Sequence, residues 1–469
     1  MTLPEGFAVA LSDSVRRYDG GRVLAGGSPY RVMRLSDAGL TALEQLQCGH
    51  PSSRAARELA GRLIDGGLAS PVPAEGLRSL SATVVIPVRD RASELDACLS
   101  SLEGSEVVVV DDGSADPEAV RTVCRRHAAR LTRIPSSRGP GAARNVGLDG
   151  IDTELVAFLD SDCVASPGWL ERLGRHFGDP RVAALAPRVV PRPRSATAAA
   201  TGARTGAACA RERYAAARSP LDLGSAPAEV GPGRPVAYVP AAALVVRMAA
   251  LRGGFDERLR YGEDVDLAWR LSAAGWIVRY DPAVVINHQE PSSWRGLLGR
   301  RYRYGTSAAP LSLRHPGMLP AAIMRRRQAA AAALALAGRP GLALALAIGG
   351  PLASYRRLTG AGLPAAAIPA LAVTAAWRPT LALSRAATTL ALPLLLTGLA
   401  ARRTRPAAAV LLAAAPLYEY AARRPALDPL RWTAAAIADD AAYGAGVWRG
   451  CLAHRTAGPL RAKIARQTP

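Results

Sequence analysis

The sequence predicts an α/β fold built on a mostly parallel, Rossmann-like sheet, with a small α+β domain before it and an Ala-rich helical region after it. Three observations predict this. From Thr83 to Asp160, continuous apolar runs alternate with helical patterns; three of those runs end in carboxylates or a Pro-to-Asp step; and beyond residue 316 long apolar stretches are punctuated by arginine. Uninterrupted apolar strands separated by helices belong to parallel sheets covered on both faces. Such sheets bind ligands at the carboxyl ends of their strands.

The 469 residues suffice for two or three domains, read as 1–77, 78–315 and 316–469. Lys plus Arg total 59 against 38 Asp plus Glu, a formal charge of +21 that suits nucleic acid, anionic lipid or phosphate-bearing substrates. Lys463 is the one lysine, so the positive charge is nearly all arginine, a skew that a GC-rich genome also produces; charge alone selects no partner. The six cysteines are widely spaced without a C-x-x-C pair, which points away from a zinc site or a disulfide framework and toward a reducing compartment. The N-terminus "MTLPEGFAVALSDSVRRYDG" lacks a basic start, an apolar core and a cleavage site, so no secretory signal is expected and the central domains are placed in the cytoplasm.

In the first region, "LSDAGLTALEQL" and "SRAARELAGRLIDGGLAS" read as amphipathic helices, the first capped by Ser36 or Asp37, and "SPVPAEG" reads as a linker. Strands follow at "TVVIPV", "EVVVV", "RLTRI" and "LVAFLD", alternating with helices through "SELDACLSSL", "PEAVRTVCRRHA" and "GAARNVGL". Residues 187–235 read as a helix between loops, and a second compact stretch runs from "VAYVPAAALVV" to "VVINHQEP". In the tail, residues 340–355, 358–377, 386–401 and 406–418 are apolar stretches. A bilayer span needs roughly 20 such residues, so only the second is comfortably long. Membrane association and an Ala-rich soluble helical domain both fit; the recurrence of apolar segments and "LALPLLLTGL" favour the membrane.

Two carboxylates stand one residue apart in "VAFLDSDC". On a strand, Asp160 and Asp162 would share a face while Ser161 points away. Converging carboxylates call for a cation, and Mg²⁺ or Mn²⁺ is commonly held by one or two carboxylates plus substrate phosphates. A surface turn is the plainer alternative. "VVVVDDGS" sets Asp111 and Asp112 at another strand end, able to accept a hydrogen bond from a base or ribose, or to form the turn and cap the next helix. "SRGPGAARN" is basic and leads into a helix whose free N–H groups can face a phosphate, or it is a connector.

Together, "TVVIPVRDRASELDACLSSL", "VVVVDDGSAD", "RGPGAARNVGL", "LVAFLDSDCVASPGWLERL" and "GGFDERLRYGEDVDLAWRL" resemble a family 2 glycosyltransferase of the GT-A fold, from about residue 82 to 315. The resemblance implies that Pro87, Val88, Arg89, Asp90 and Asp112 contact the uracil and ribose of a UDP-sugar donor, joined by Arg144, Asp160 and Ser161. It further implies that Asp160 and Asp162 hold a divalent metal, Mn²⁺ or Mg²⁺, with His288 as third ligand; histidine is also an ordinary strand-end residue. Asp264 in "GEDVD" matches the catalytic base of inverting members. Glu263, Trp269, Arg300 and Arg301 are candidates for diphosphate or acceptor contact; Trp269 also fits the core, and the arginines also fit a solvated or membrane-facing surface. The chemistry agrees, since a leaving diphosphate needs neutralising and an attacking hydroxyl must lose its proton.

As a whole the chain is similar to the glycosyltransferases of mycofactocin biosynthesis in actinobacteria, which implies glucose transfer from UDP-glucose onto premycofactocin as a β-1,4-linked oligosaccharide. The apolar tail and the missing secretory signal together make the expected location the cell membrane, with the catalytic domain in the cytoplasm. The N-terminal residues more faintly resemble winged-helix-like peptide-recognition domains; a structural cap is the alternative. Two other functions remain: a transferase of cell-wall polysaccharide or glycolipid assembly, and a nucleic-acid-binding regulator with a vestigial transferase domain. No nucleic-acid partner is expected, because the carboxylates fall at strand ends where transfer needs them.

Overall fold

The computed structural model describes residues 3–465 apart from 28–29, 50, 52, 78–79, 193–205 and 354. The loop expected before the helix of residues 187–235 thus lies in part outside the described residues. The chain forms two compact units, Met1–Pro193 with Ser219–Glu290, and Arg194–Arg218 with Pro291–Pro469.

The first unit opens with strands β1 (Phe7–Leu11), β2 (Arg16–Tyr18), β3 (Val23–Gly26) and β4 (Arg31–Arg34), then helices α1 (Asp37–Gln47) and α2 (Arg54–Asp65) and strand β5 (Ala69–Pro73). Ser36 caps α1 by accepting the Gly39 N–H (3.2 Å), so Asp37 is left to the first turn, where its charge suits the helix dipole. Ser53 caps α2 in the same way. Leu43, Leu46, Leu59 and Leu63 close the helices over Phe7 and Leu24. The expected linker begins instead as a strand: β5 pairs antiparallel with β1, Pro73 opposite Phe7 and Pro71 opposite Val9. Prolines are tolerated because this ladder has only two strands, leaving each an open edge where no N–H is required.

The central sheet follows with β6 (Ala82–Val88), α3 (Ala92–Ser100), β7 (Val107–Asp112), α4 (Pro117–Arg126), β8 (Arg130–Ile134), α5 (Pro140–Val146), β9 (Leu155–Leu159), β10 (Cys163–Ala165), α6 (Trp169–Gly174) and β11 (Val182–Pro191). The chain then passes through helix α7 (Gly206–Ala217) in the second unit and returns as β12 (Ala228–Val230), β13 (Ala243–Arg247), α8 (Glu263–Ala273) and β14 (Ile277–His288). The nine strands are ordered β10-β14-β11-β13-β9-β6-β7-β8, with β12 on β14. β6, β7, β8 and β9 are parallel neighbours, β13 is antiparallel to both β9 and β11, and β14 is parallel to β11. It follows that β6, β7, β8, β9, β11 and β14 all run one way and end at one edge. Side chains alternate between two buried faces, Val84, Ile86, Leu155 and Ala157 in one core and Val85, Val108, Val156 and Phe158 in the other. Burial on both sides is why these strands read as unbroken apolar runs.

The second unit is helical: α9 (Trp294–Thr306), α10 (Ala308–Arg314), α11 (Arg326–Leu336), α12 (Pro340–Ala353), α13 (Tyr355–Gly360), α14 (Ile368–Leu390), α15 (Leu392–Ala400), α16 (Arg405–Arg423) and α17 (Pro429–Ala453). Helices α9 and α10, which precede residue 315, belong to this unit and pack on α17. Small residues allow this: a methyl on Gly305 would overlap the Tyr443 carbonyl, and one on Gly446 the Tyr302 carbonyl. The apolar stretch 358–377 does not form one helix. It breaks after Gly360 and resumes at Ile368 in a helix that carries Arg378 and Arg385. Among the described residues no single helix is long and apolar enough to cross a membrane; Trp377–Leu390 and Leu392–Ala400, bent by 101°, pass that test together.

Candidate active site

The carboxyl ends of β6, β7, β9 and β14 share one sheet edge, where Pro87 to Asp90, Asp112, Asp160 to Asp162 and His288 stand at or just past the strand ends. Asp160 and Asp162 occupy a turn rather than one face of a strand. β9 stops at Leu159, the Cys163 N–H donates to the Asp160 carbonyl (2.9 Å), and β10 starts at Cys163. The turn lets the two carboxylates take separate partners while Ser161 is buried between them.

Asp160 Oδ1 accepts from Arg144 Nη2 at 2.8 Å, and Arg144 Nη1 donates to Glu263 Oε1 at 2.8 Å. Arg144 is 4% exposed and lies over the Phe255 ring at 5.4 Å, so the guanidinium is fixed on both edges and one face. This chain of ions joins the β9 turn to the first turn of α8. Gly262 introduces that helix at φ 83°, a conformation that favours glycine. Burial, reinforced by Asp264 and opposed by Arg144, pushes Glu263 up to about 7. Asp264 accepts the Val265 N–H at Oδ1 (2.8 Å) and the Ala241 N–H at Oδ2 (3.2 Å). Burial raises it above the ordinary carboxylate range against Arg144 and those N–H groups.

Asp162 is 10% exposed; its Oδ2 pairs with Arg91, and its Oδ1 stands 3.6 Å from His288 Nε2. His288 is buried at the end of β14, opposite Cys163 in register, and its Nδ1 lies 3.8 Å from Glu290 without a hydrogen bond.

At the other end of the edge, Pro87 and Val88 close β6, and Arg89 lies 3.5 Å from the Asp90 carboxylate. Asp90 adopts φ 55°; its N–H donates to Ser114 Oγ (3.0 Å) and its Oδ1 accepts the Ala115 N–H (2.7 Å). Left-handed backbone at a non-glycine residue marks strain held by its surroundings. The acidic pair divides its work. Asp111 forms the turn with the Ser114 N–H (2.9 Å) and pairs with Arg133, whereas Asp116 caps α4. Asp112 accepts from the Arg138 N–H (2.7 Å), the Gly139 N–H (2.9 Å) and Ser137 Oγ (2.8 Å), so its carboxylate holds the basic loop ahead of α5. Gly113 at φ 72° allows the close approach of that loop; a side chain there would meet the Ser137 nitrogen.

A family profile described as "Glycosyl transferase family 2" matches residues 83–215, and one described as "Glycosyl transferase family group 2" matches residues 155–418. The "Pre-mycofactocin glycosyltransferase" of Mycobacterium tuberculosis is 38% identical over 480 residues, covering 98% of each chain. The chain belongs to glycosyl transferase family 2. The glycosyltransferase AglE of Haloferax volcanii is 31% identical over 102 residues, 19% of this chain and 33% of its own. A solved mannosyltransferase from Pyrobaculum calidifontis, in complex with GDP-Man and Mn²⁺, aligns with 72% of this chain and 86% of its own at a TM-score of 0.38 and 21% identity.

In this family 2 glycosyltransferase, the expected metal ligands are brought together only in part. Among the described residues no three His, Cys, Asp or Glu side chains gather into a ready cage. Asp162 and His288 face each other, and the buried imidazole beside a carboxylate fits a divalent cation, while Asp160 is turned to Arg144. The acceptor-side candidates lie elsewhere. Trp269 is 2% exposed and donates to the Ala237 carbonyl (2.8 Å), so it packs the core instead of offering a platform. Arg300 and Arg301 belong to α9 in the second unit, where Arg301 lies 2.9 Å from Asp439 and over the Tyr443 ring. Arg91 was not among the expected residues; one arginine in a strongly basic chain carries no spacing signal.

Proposed function

We propose that this glycosyltransferase carries glucose from UDP-glucose to premycofactocin and extends it into a β-1,4-linked oligosaccharide, a step of mycofactocin biosynthesis. The observation that carries this reading is the 38% identity with the M. tuberculosis relative through 98% of both chains, well beyond the transferase motifs alone. In this reading the uridine lies beside Pro87 to Asp90 and the Asp112 loop, with the ribose toward Asp160 and Ser161. Asp162 and His288 hold Mn²⁺ or Mg²⁺, which when bound supplies Lewis-acid neutralisation of the leaving diphosphate. Asp264 receives the proton of the attacking acceptor hydroxyl, and the rise that burial gives its pKa makes it a stronger base than an exposed aspartate. One displacement at the anomeric carbon inverts its configuration and needs no covalent nucleophile. Arg144 keeps Asp160 and the α8 terminus in fixed relation, so donor and base stay aligned.

The reading includes association with the cell membrane, the transferase unit facing the cytoplasm. Its support is the exposed apolar side chains of α14 and α15, Val373, Trp377, Leu394 (73% exposed) and Leu396, followed in sequence by exposed Arg402, Arg403 and Arg405. The same surface favours a second reading in which the acceptor is a lipid-linked saccharide. Mass spectrometry after incubation with UDP-glucose and Mn²⁺ separates the two: hexose added to premycofactocin supports the first, and hexose added only to a polyprenyl-linked acceptor replaces it with the second.

A further inference from the structure

The two aspartates of the turn have opposite kinds of counter-ion. Arg144, which serves Asp160, is 4% exposed, anchored at its far side by Glu263 and stacked on Phe255; it cannot leave without stranding two carboxylates. Arg91, which serves Asp162, is 51% exposed, and among the described residues Asp162 alone accepts a hydrogen bond from it. It stands at the N-cap of α3, where a donor-only guanidinium can cap no N–H, so its bond to Asp162 is separate from the hydrogen bonds of the helix. Its charge occupies Asp162 Oδ2, while Oδ1 faces His288. A divalent cation arriving at Asp162 and His288 would meet a guanidinium already on that carboxylate, and two cations on one carboxylate repel. A displaced arginine has a natural second partner here, because its planar donor fork matches phosphate oxygens as well as a carboxylate.

We propose that Arg91 is an exchangeable counter-cation that neutralises Asp162 in the absence of a divalent metal, yields that carboxylate when the metal binds, and transfers its hydrogen bonds to the donor diphosphate. Arg91 is thereby a donor-binding residue that also sets the metal affinity of the site. The proposal rests on the metal-dependent UDP-sugar reading above.

The full chain is titrated with Mn²⁺ without nucleotide, following the electron paramagnetic resonance of the free ion, and then with UDP at saturating Mn²⁺ by calorimetry. Arg91→Gln, Arg91→Lys and Asp162→Asn are compared with the parent chain. The expected result is opposed shifts in Arg91→Gln, Mn²⁺ bound about fivefold more tightly and UDP about tenfold more weakly. Arg91→Lys, which keeps the charge without the fork, should bind Mn²⁺ as the parent does and UDP more weakly; Asp162→Asn should lose Mn²⁺. General destabilisation would weaken both ligands, so it cannot imitate the opposed shifts. Mn²⁺ affinity in Arg91→Gln equal to or below the parent's, or unchanged UDP affinity, overturns the proposal while leaving the donor reading intact. Absence of Mn²⁺-dependent UDP binding in the parent and Arg91→Gln alike overturns both.

Discussion

Asp264 has a backbone N–H on each carboxylate oxygen, so its orientation is fixed before any acceptor arrives. Asp264→Asn keeps the shape and removes the basicity. Transfer should fall by about 10²- to 10⁴-fold, with UDP binding retained; steady-state turnover alongside calorimetry checks both. Arg144 favours the ionised forms of Asp264 and Glu263. Removing it as Arg144→Gln raises both, so the acidic limb of the kcat/KM profile should move to higher pH, apart from any loss in its height. Glu263 has a stability consequence of its own. Its pKa in the folded chain, about 7 against an ordinary 4.5, means the folded state holds the proton more tightly, so the unfolding free energy should decline as pH rises across that window. Glu263→Gln should flatten that slope in chemical denaturation at several pH values. The carboxylates themselves were legible as a pair at a sheet edge, because apolar strands seldom end in two like charges without a reason. Their counter-ions were not, since Arg91 and Arg144 reach the turn from separate elements and no spacing rule joins them to Asp162 and Asp160.

The central strands β6, β7 and β9 were readable because they are buried on both faces, whereas edge strand β8 is largely exposed and carries the weaker pattern RLTRI. Where local pattern and tertiary context differ, the context decides. "SPVPAEG" has the composition of a linker, yet its first residues complete a ladder with β1, a pairing across sixty residues that composition cannot show. The apolar tail divides unevenly: stretches 358–377 and 386–401 are interrupted by breaks, whereas Pro340–Ala353 and Arg405–Arg423 are each one helix. Their packing has a local test. In α17, Gly446 lies against the backbone of α9, and its methyl would overlap the Tyr302 carbonyl. Gly446→Ala should raise helix propensity by itself yet lower stability by about 1–3 kcal/mol, measured as a drop in thermal midpoint. A neutral effect would mean that these helices do not cross at backbone contact.

Across the whole chain, distant segments of the helical unit meet on one arginine. Arg218, at the end of the segment that contains α7, donates to Glu419 (2.8 Å), Asp439 (2.7 Å) and Asp440 (2.7 Å), and Arg385 also pairs with Glu419. Among the described residues, removing that cation leaves buried Asp440 with only the Thr388 hydroxyl, while Glu419 keeps Arg385 and Asp439 keeps Arg301, so Arg218→Ala should destabilise this unit by about 3 kcal/mol, read by denaturant unfolding under fixed solvent or detergent conditions. The change in composition marks the helical tail, while the close packing of α9 against α17 rests on glycine contacts that composition does not reveal. The central claim concerns what this assembly acts on. Its most direct measurement is intact-mass spectrometry of premycofactocin after incubation with the full chain, UDP-glucose and Mn²⁺, with Asp264→Asn in parallel. The account predicts one or more added hexoses with the parent chain and none above background with the variant. Unmodified premycofactocin from a folded, UDP-binding parent chain would contradict it.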